Sequence, residues 1–310
     1  MPRNKKGVAV NGWLNLDKPK GMTSTQAIGR VRRILNAQKL GHAGTLDPLA
    51  TGILPIALGE ATKTIAFAQD ADKVYHFTVT WGEARTTDDC EGSVTQKSDL
   101  RPSVEDIRSL LPRFIGTIEQ TPPQFSAIKI DGERAYDLAR AGEQVDIKSR
   151  HVLVHSLDLL HVDEHQAGFA LHCGKGTYVR SIARDLGQIL GCFGHVSALR
   201  RLAVGNFTEE SAISLDEFEK IMQSAPPDQV LLPVETVLDD IPALAMTEVE
   251  IRRIRQGQTI AFLSRPDFER LLAAGVHEDT SLVLAMGEHN PVAILEKQGP
   301  RLHPVKVFNL

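Results

Sequence analysis

Gly41-His42-Ala43-Gly44-Thr45-Leu46-Asp47-Pro48-Leu49-Ala50-Thr51-Gly52 is the stretch on which the reading of this chain turns. Its glycines and its proline make it too irregular for the interior of a helix or strand, so it reads as a long loop. Within it Pro48 biases the Asp47 backbone toward an extended form that projects the carboxylate into a cleft. An isolated Asp-Pro is a common turn former. Here the acid lies just after the most basic part of the chain, where a polyanion would dock and would repel a carboxylate that had no work to do or no cation to pair with.

That basic part is visible only when charge is counted by segment. The chain has 310 residues and a formal net charge of -4. Residues 1–40 alone carry +8, and the remainder carries -12. A second basic stretch, from Lys175 to Arg201, sets Lys175, Arg180, Arg184, Arg200 and Arg201 against Asp185 alone, while residues 209–250 hold eleven acids and one base. Charge runs are often merely solvated surface. Two basic, Gly-containing segments separated by acidic ones imply an electropositive groove on an acidic body, the layout of a selective nucleic-acid binder.

With 42% hydrophobic and 24% charged residues the chain is long enough for one large domain and a smaller one, and disorder is excluded. Cys90, Cys173 and Cys192 form no CxxC pair and have no HxxxH partner, so neither a zinc site nor a disulfide framework is signalled. A reducing, cytoplasmic location is the expectation. The first residues lack an apolar core, and no apolar run reaches the roughly 18 residues of a membrane span, so neither export nor a membrane partner is expected.

Local patterns place the elements. Trp13 to Leu16 reads as a short strand stopped by Lys18-Pro19-Lys20-Gly21. Ser24 is positioned to N-cap a helix with Ala27, Ile28, Val31, Ile34 and Leu35 on one face and Arg30, Arg32 and Arg33 mostly on the other. Residues 73–81 alternate, with Tyr75, Phe77, Val79 and Trp81 on one face, as a half-buried strand does. Residues 85–92 read as a polar loop, and Ser103 as the cap of a helix through Ile107, Leu110, Leu111 and Phe114. A strand over 126–130 turns at Asp131-Gly132 before a short helix from Ala135 to Ala141, ending at Gly142. Strands follow over 152–162 and 169–173. Gly174-Lys175-Gly176-Thr177 then opens a helix with Ile182, Leu186 and Ile189 on its buried stripe and Gly191 as its stop. Mixed elements without strict βαβ alternation indicate an α+β fold with a largely antiparallel sheet. The proline-containing acidic segment 209–246 reads as connecting structure, with a domain boundary near Met246. The stretch 247–310 has one helix, Glu248 to Arg255, and apolar stretches over 281–286, 291–296 and 305–308, a compact β-barrel pattern.

Arg180 begins its helix after a pair of glycines that let backbone approach a ligand. An Arg within about 4–6 Å of a carboxylate lowers its pKa by roughly 1–3 units, which would keep Asp47 ionised. By themselves, Tyr75 and Leu199 read as core residues. His42 near Asp47 invites an acid–base dyad, but no Gly-x-Ser-x-Gly elbow or Cys nucleophile accompanies it. The loop lacks the Gly-Lys-Ser/Thr of a nucleotide-binding P-loop.

Taken together, Lys18-Pro19 with Gly21 and Thr23-Ser24, the 41–52 stretch, Tyr75 on its strand and Gly176-Thr177-Tyr178-Val179-Arg180-Ser181 resemble the TruB family of tRNA pseudouridine-55 synthases. The resemblance runs from about Gly12 to Phe207, and the tail resembles the RNA-binding PUA domain such enzymes carry. It implies a pseudouridine synthase fold over residues 1–246, with a mixed, largely antiparallel sheet flanked by helices, and a PUA-like RNA-binding domain over 247–310. It also implies isomerisation of a T-loop uridine of tRNA to its C-glycoside, with no cofactor, no metal and no protein partner.

The family's essential aspartate falls on Asp47, which attacks or deprotonates the uridine while the glycosidic bond breaks. Its tyrosine falls on Tyr75, stacked on the base, and its arginine on Arg180, paired with Asp47. His42 would contact the flipped nucleotide, Lys18 and Pro19 lie near the pocket, and Leu199 forms an apolar wall. Gly44, Thr45 and Tyr178, inside the matched motifs, complete the substrate-binding set. Lys20, Arg30, Arg33, Lys39, Lys175, Arg184 and Arg200 are the cations expected on the RNA backbone. Two other readings share these features: a tRNA-binding folding assistant with secondary catalysis, and a guide-RNA-dependent synthase of the dyskerin type.

Overall fold

The computed structural model describes residues 7–126, 129–130, 133–134 and 147–310. The expected helix from Ala135 to Ala141, its Gly142 stop and the Asp131-Gly132 turn lie outside the described residues. In chain order the elements that carry the architecture are β1 (Gly12–Lys18), α1 (Ser24–Leu35), β2 (Leu40–His42), β3 (Thr51–Leu58), α2 (Ile65–Asp70), β4 (Lys73–Trp81), β5 (Glu83–Arg85), β6 (Val94–Lys97), α3 (Val104–Leu110) and β7 (Gly116–Gln120). The short pair β8 (Lys129–Ile130) and β9 (Glu133–Arg134) leads to β10 (Arg150–Val162), β11 (Gln166–Cys173), α4 (Val179–Ile189), β12 (Gly194–Val204), β13 (Phe207–Thr208), β14 (Ile213–Ser214) and α5 (Leu215–Ile221). The tail contributes β15 (Ala243–Ala245), α6 (Glu248–Arg255), β16 (Ile260–Ala261), α7 (Arg265–Ala273), β17 (Leu282–Met286), β18 (Pro291–Gln298) and β19 (Arg301–Val307).

One mixed sheet organises the first 214 residues, in the order β14-β1-β3-β12-β4-β11-β10-β7. Its ladders are antiparallel except for β1 with β14 and β12 with β3, so the expected α+β class with a largely antiparallel sheet holds. On β4 the alternation is as expected: Tyr75, Phe77, Val79 and Trp81 are buried and His76 is exposed. Strand β3 was not anticipated. Its apolar run is buried on both faces, and Pro55 pairs with Asn15 while accepting from Ala43 N. A strand buried on both faces loses the two-residue alternation that would reveal it, and a proline inside the run argues against one.

The two faces of β3 belong to different cores. Leu54, Ile56 and Leu58 join the cluster under α1 and α4, whereas Ile53 and Ala57 join Trp13, Phe207, Val234, Leu284, Ile294 and Phe308. The last three come from the tail, whose five-stranded sheet runs β15-β17-β18-β19-β16. This ladder is open, with no pairing between β15 and β16 among the described residues, so it forms half a barrel rather than the closed one expected. It begins at Ala243, a few residues before the expected boundary. Lys63 Nζ donates to Val307 O at 2.6 Å, and Asn309 N to Glu60 Oε2 at 2.8 Å, pinning residues 307–309 to the helical turn that follows β3.

Three further expectations change. The acidic segment is part of the large sheet rather than a connector: β14 extends it, α5 buries Leu215 and Phe218, and Leu232 exchanges both backbone hydrogen bonds with Trp13. On α4 the residue Ile189 is 49% exposed, and Arg180 and Ser181 are buried instead. Finally, Thr23 and not Ser24 caps α1, in a reciprocal box with Gln26.

Because Leu284, Ile294 and Phe308 lie in a cluster with Trp13 and Ile53, the tail and the large sheet are expected to unfold in one calorimetric transition. Phe308→Ala should lower it, costing about 3–5 kcal/mol. Two resolved transitions in the parent chain would show that the shared cluster does not couple them.

Candidate active site around Asp47

The Asp47 turn is held from three sides. Ala50 N donates to Asp47 O at 3.1 Å, closing a turn with Pro48 in the position that proline favours. Gly21 N donates to Pro48 O at 2.7 Å. Ser24, released from capping, is buried and grips the neighbouring residue: its Oγ accepts from Leu46 N at 2.9 Å and donates to Leu46 O at 3.1 Å. Leu46 and Leu49 are in the core, which leaves the Asp47 side chain, about one-third exposed, as the part of the turn that faces outward.

Arg180 meets it as expected. Nη2 donates to Asp47 Oδ1 at 3.3 Å, and Nε lies 2.9 Å from Oδ2 but out of line for a hydrogen bond, so that second contact is chiefly Coulombic. The guanidinium is 5% exposed and makes two further hydrogen bonds: Nη1 donates to Thr87 O and Nη2 to Phe125 O, both at 2.9 Å. The Asp89 carboxylate lies 3.8 Å from Nη1. The start of α4 that carries Arg180 is itself braced, since Gln120 Oε1 accepts from Tyr178 N at 2.8 Å and its Nε2 donates to Tyr178 O at 3.2 Å.

Electrostatics reverse one expectation. Burial pushes the Asp47 carboxyl above its ordinary value; Arg180 is the largest influence pulling it down, and Asp89 adds to the rise. The site therefore raises the cost of ionising Asp47 instead of lowering it. The Lys18 ammonium, fully buried, is pushed down to about 8 by burial, with Asp47 opposing. Its Nζ donates to Pro19 O at 3.0 Å and to Met22 O at 2.7 Å, so it braces the 19–22 turn. Burial likewise raises the Tyr75 phenol, against the pull of Arg201.

Arg201, read at first only as part of a basic run, is 2% exposed. Its Nε donates to Ile53 O at 2.7 Å and its Nη2 to Gly44 O at 3.2 Å, linking β12 to both ends of the loop. Gly52 is required beside it: its φ is +100°, and a Cβ there would stand 2.1 Å from Arg201 O. Leu199 is buried on the same strand opposite Phe77, and Thr45 is exposed on the loop. His42 is on β2, half-buried, and the Arg150 guanidinium lies 5.1 Å from the Tyr178 ring centre.

The sequence reading missed Asp88 and Asp89, which it placed in a featureless polar loop. Arg180 and Arg184 are one helical turn apart on α4, and this spacing matched to the Asp88-Asp89 pair was the available signal. Asp88 Oδ2 lies 3.2 Å from Arg184 Nη1, and burial pushes the Asp88 carboxyl up to about 6.

The expected phosphate cations divide into two groups. Arg30 contacts Glu219 at 2.5 Å and Asp216 at 3.5 Å, Arg184 is held by Asp88, Asp185 and Thr121 O, and Arg200 is clamped between Asp17 and Glu209. These three are engaged by the protein's own acids, part of them on the acidic segment. Lys20, Arg33 and Lys39 are exposed, as is Lys175 beside Asp70, a solvated pair of small net worth. A separate cavity of about 200 Å³ on the tail, lined by residues that include Ile251, Arg255, His289 and Phe308, contains none of the sequence-predicted site residues.

The loop thus sets a carboxylate that is about one-third exposed beside a guanidinium that is buried and fixed. Residues 32–179 match the model of the TruB family pseudouridylate synthase N-terminal domain, and residues 180–239 that of the tRNA pseudouridylate synthase B C-terminal domain. The chain is similar to proteins named tRNA pseudouridine synthase B: 53% identical to that of Caulobacter sp. (strain K31), over 100% of both chains, and 49% identical to that of Rhodospirillum rubrum, again over 100% of both. This chain belongs to the TruB family of pseudouridylate synthases. Its fold is also that of the solved Cbf5-Nop10-Gar1 complex, matched with a TM-score of 0.69 at 24% identity over 96% of this chain and 85% of that one.

Two outcomes are expected from this geometry. Selective ¹³C-carboxyl NMR should show Asp47 titrating above the ordinary aspartate value of about 3.9. Asp89→Asn, which removes the nearby negative charge, should move that midpoint down; an unchanged midpoint would exclude the coupling. In urea melts Ser24→Ala should cost about 1–3 kcal/mol through the stranded Leu46 groups, and Thr23→Ala about 1 kcal/mol through the cap.

Proposed function

We propose that the chain converts a uridine in the T-loop of tRNA to pseudouridine, with Asp47 as the reacting carboxylate. The observation that carries this reading is the Asp47–Arg180 pair, buried on the arginine side and open on the carboxylate side, in a chain whose full-length relatives are named tRNA pseudouridine synthase B. A uridine within a folded RNA loop is reached by leaving its stack, at a cost of a few kcal/mol that the pocket must return. Tyr75 and Leu199 supply an apolar, aromatic lining for the base, and the backbone of 44–45 and the His42 ring supply polar edges. Tyr178 and Pro19, which lie in the matched motifs, would complete the contact with the substrate.

Asp47 acts as its anion, attacking or deprotonating the nucleoside while the C1′–N1 glycosidic bond is broken. The base then turns and rejoins C1′ through carbon 5, carbon 5 losing its proton and N1 gaining one, so that the product is an isomer of the substrate. Arg180 stabilises that anion as water leaves, and Lys18 holds the Pro19–Met22 turn against the Asp47 turn. Because burial raises the Asp47 carboxyl, the enzyme loses its reactive anion as pH falls through that raised value and gains it as pH rises. No cofactor or metal is invoked for this step.

Lys20, Arg33, Lys39 and Lys175 would contact the RNA backbone. Arg30, Arg184 and Arg200 serve the fold first. The tail, read as PUA-like and RNA-binding, would extend the contact, with the division into residues 1–246 and 247–310 as its functional boundary.

The test is incubation of purified chain with unmodified tRNA transcript, followed by carbodiimide-stop mapping, with Asp47→Asn in parallel. One modified T-loop uridine is expected, lost in the variant, with tRNA affinity kept within a few-fold. Retained turnover in Asp47→Asn would overturn the role of Asp47. Tight binding with no modification by the parent chain would favour the folding-assistant or guide-dependent readings.

A further inference from the structure

On the face of the large sheet opposite Tyr75, three side chains from distant parts of the chain converge. Asp72 precedes β4, His155 lies on β10 and His172 on β11. His155 Nε2 lies 3.0 Å and His172 Nε2 3.6 Å from the same Asp72 oxygen, Oδ2. All three potential ligand atoms lie within 4.8 Å of one another, and the imidazole centroids are 4.5 Å apart with planes tilted by 34°. With metal–nitrogen and metal–oxygen bonds of about 2.0–2.2 Å, the edges of a tetrahedral zinc site are about 3.3–3.6 Å long. Both contacts to Asp72 are close to that edge length.

The backbone favours this convergence. Between the pairs Val154–Cys173 and Ser156–His172 the β10–β11 register shifts by one residue, and His155 is the extra residue. Such a bulge re-aims one side chain out of the regular alternation, here toward His172. The Asp72 backbone is held by Gly205 N, which donates to Asp72 O at 2.9 Å. The nearby ammonium of Lys175 is paired with Asp70 at 3.0 Å rather than with Asp72. The three side chains are 34%, 44% and 48% exposed for His155, His172 and Asp72, which leaves room for a water as fourth ligand.

We propose that Asp72, His155 and His172 form a binding site for a first-row divalent ion of the zinc type, distinct from the Asp47 site and unconnected with its chemistry. Two imidazoles and one carboxylate with an open position suit zinc, cobalt(II) or nickel(II) over magnesium or calcium, which favour all-oxygen shells. A bound ion would tie the turn before β4 to β10 and β11. No spacing motif announces the site, because its ligands come from three separate strands or strand ends.

The experiment uses the untagged full chain, stripped with a chelator and titrated with zinc chloride against a chromophoric competitor. One equivalent is expected to bind with a dissociation constant of about micromolar order, and cobalt(II) is expected to show the visible bands of a four-coordinate site. His155→Gln and His172→Gln, both at partly exposed positions, should each weaken binding by at least about tenfold, in line with loss of a ligand. Zinc should raise the thermal midpoint of the parent but not of the variants. Calcium in place of zinc should fail to compete. Absence of saturable one-equivalent binding, or equal zinc affinity in parent and both variants, would overturn the proposal, since the remaining histidines would then account for any uptake.

Discussion

A carboxylate cannot be held in a partly desolvated cleft without a countercharge, and a guanidinium cannot be buried without acceptors for its N–H groups. The Asp47–Arg180 contact satisfies the first condition and forces the second on the rest of the structure. Thr87 and Phe125 must present carbonyls, and Asp89 must stand behind. Gln120 must brace the start of the helix that carries Arg180. The segment 85–92, which has little apolar content of its own, is folded inward by this demand. Burial still leaves Asp47 harder to ionise than a free aspartate. A carboxylate whose anion is poorly solvated and stabilised by one aimed cation is a more reactive base or nucleophile than one relaxed among many donors.

The second constraint is that the central strands are covered on both sides. One face of β1 and β3 is packed under α1 and α4. The other is closed by the tail and by residues 231–238. The tail is therefore part of what keeps the 41–52 loop in place, since Ala43 and Ile53 belong to the same cluster as Phe308. The acidic segment has a comparable double role. It supplies β14 and α5, and through Asp216, Glu219 and Glu209 it pairs with Arg30 and Arg200. Of the seven cations expected on the RNA backbone, Arg30, Arg184 and Arg200 are thus taken up by acids, and Lys20, Arg33, Lys39 and Lys175 stay exposed.

Ser24 illustrates how local and tertiary demands are divided. Both Thr23 and Ser24 can cap a helix. Thr23 does so because Gln26 stands three residues on and completes the reciprocal box, and that frees the buried hydroxyl of Ser24 to span the Leu46 backbone. The same logic applies to Gly52. Its freedom at positive φ is a local property, but the reason it is needed is the Arg201 carbonyl from another strand.

The sequence by itself determined the α+β class, the β4 alternation and the α1 and α6 helices, which rest on periodicity and capping chemistry that are local in the chain. It assigned Arg180 as the partner of Asp47 only through the family resemblance, and the fold brings the two together across 133 residues. Only the tertiary structure decided the rest: strand β3, whose two buried faces erase its alternation; the inward turn of Asp88 and Asp89; the burial of Arg201 and Lys18; the engagement of Arg30, Arg184 and Arg200 by acids; and the meeting of Asp72, His155 and His172. Each depends on which partner a side chain finds across the sheet. A residue's charge or hydropathy states what it requires, and only the packing of distant segments states what supplies it.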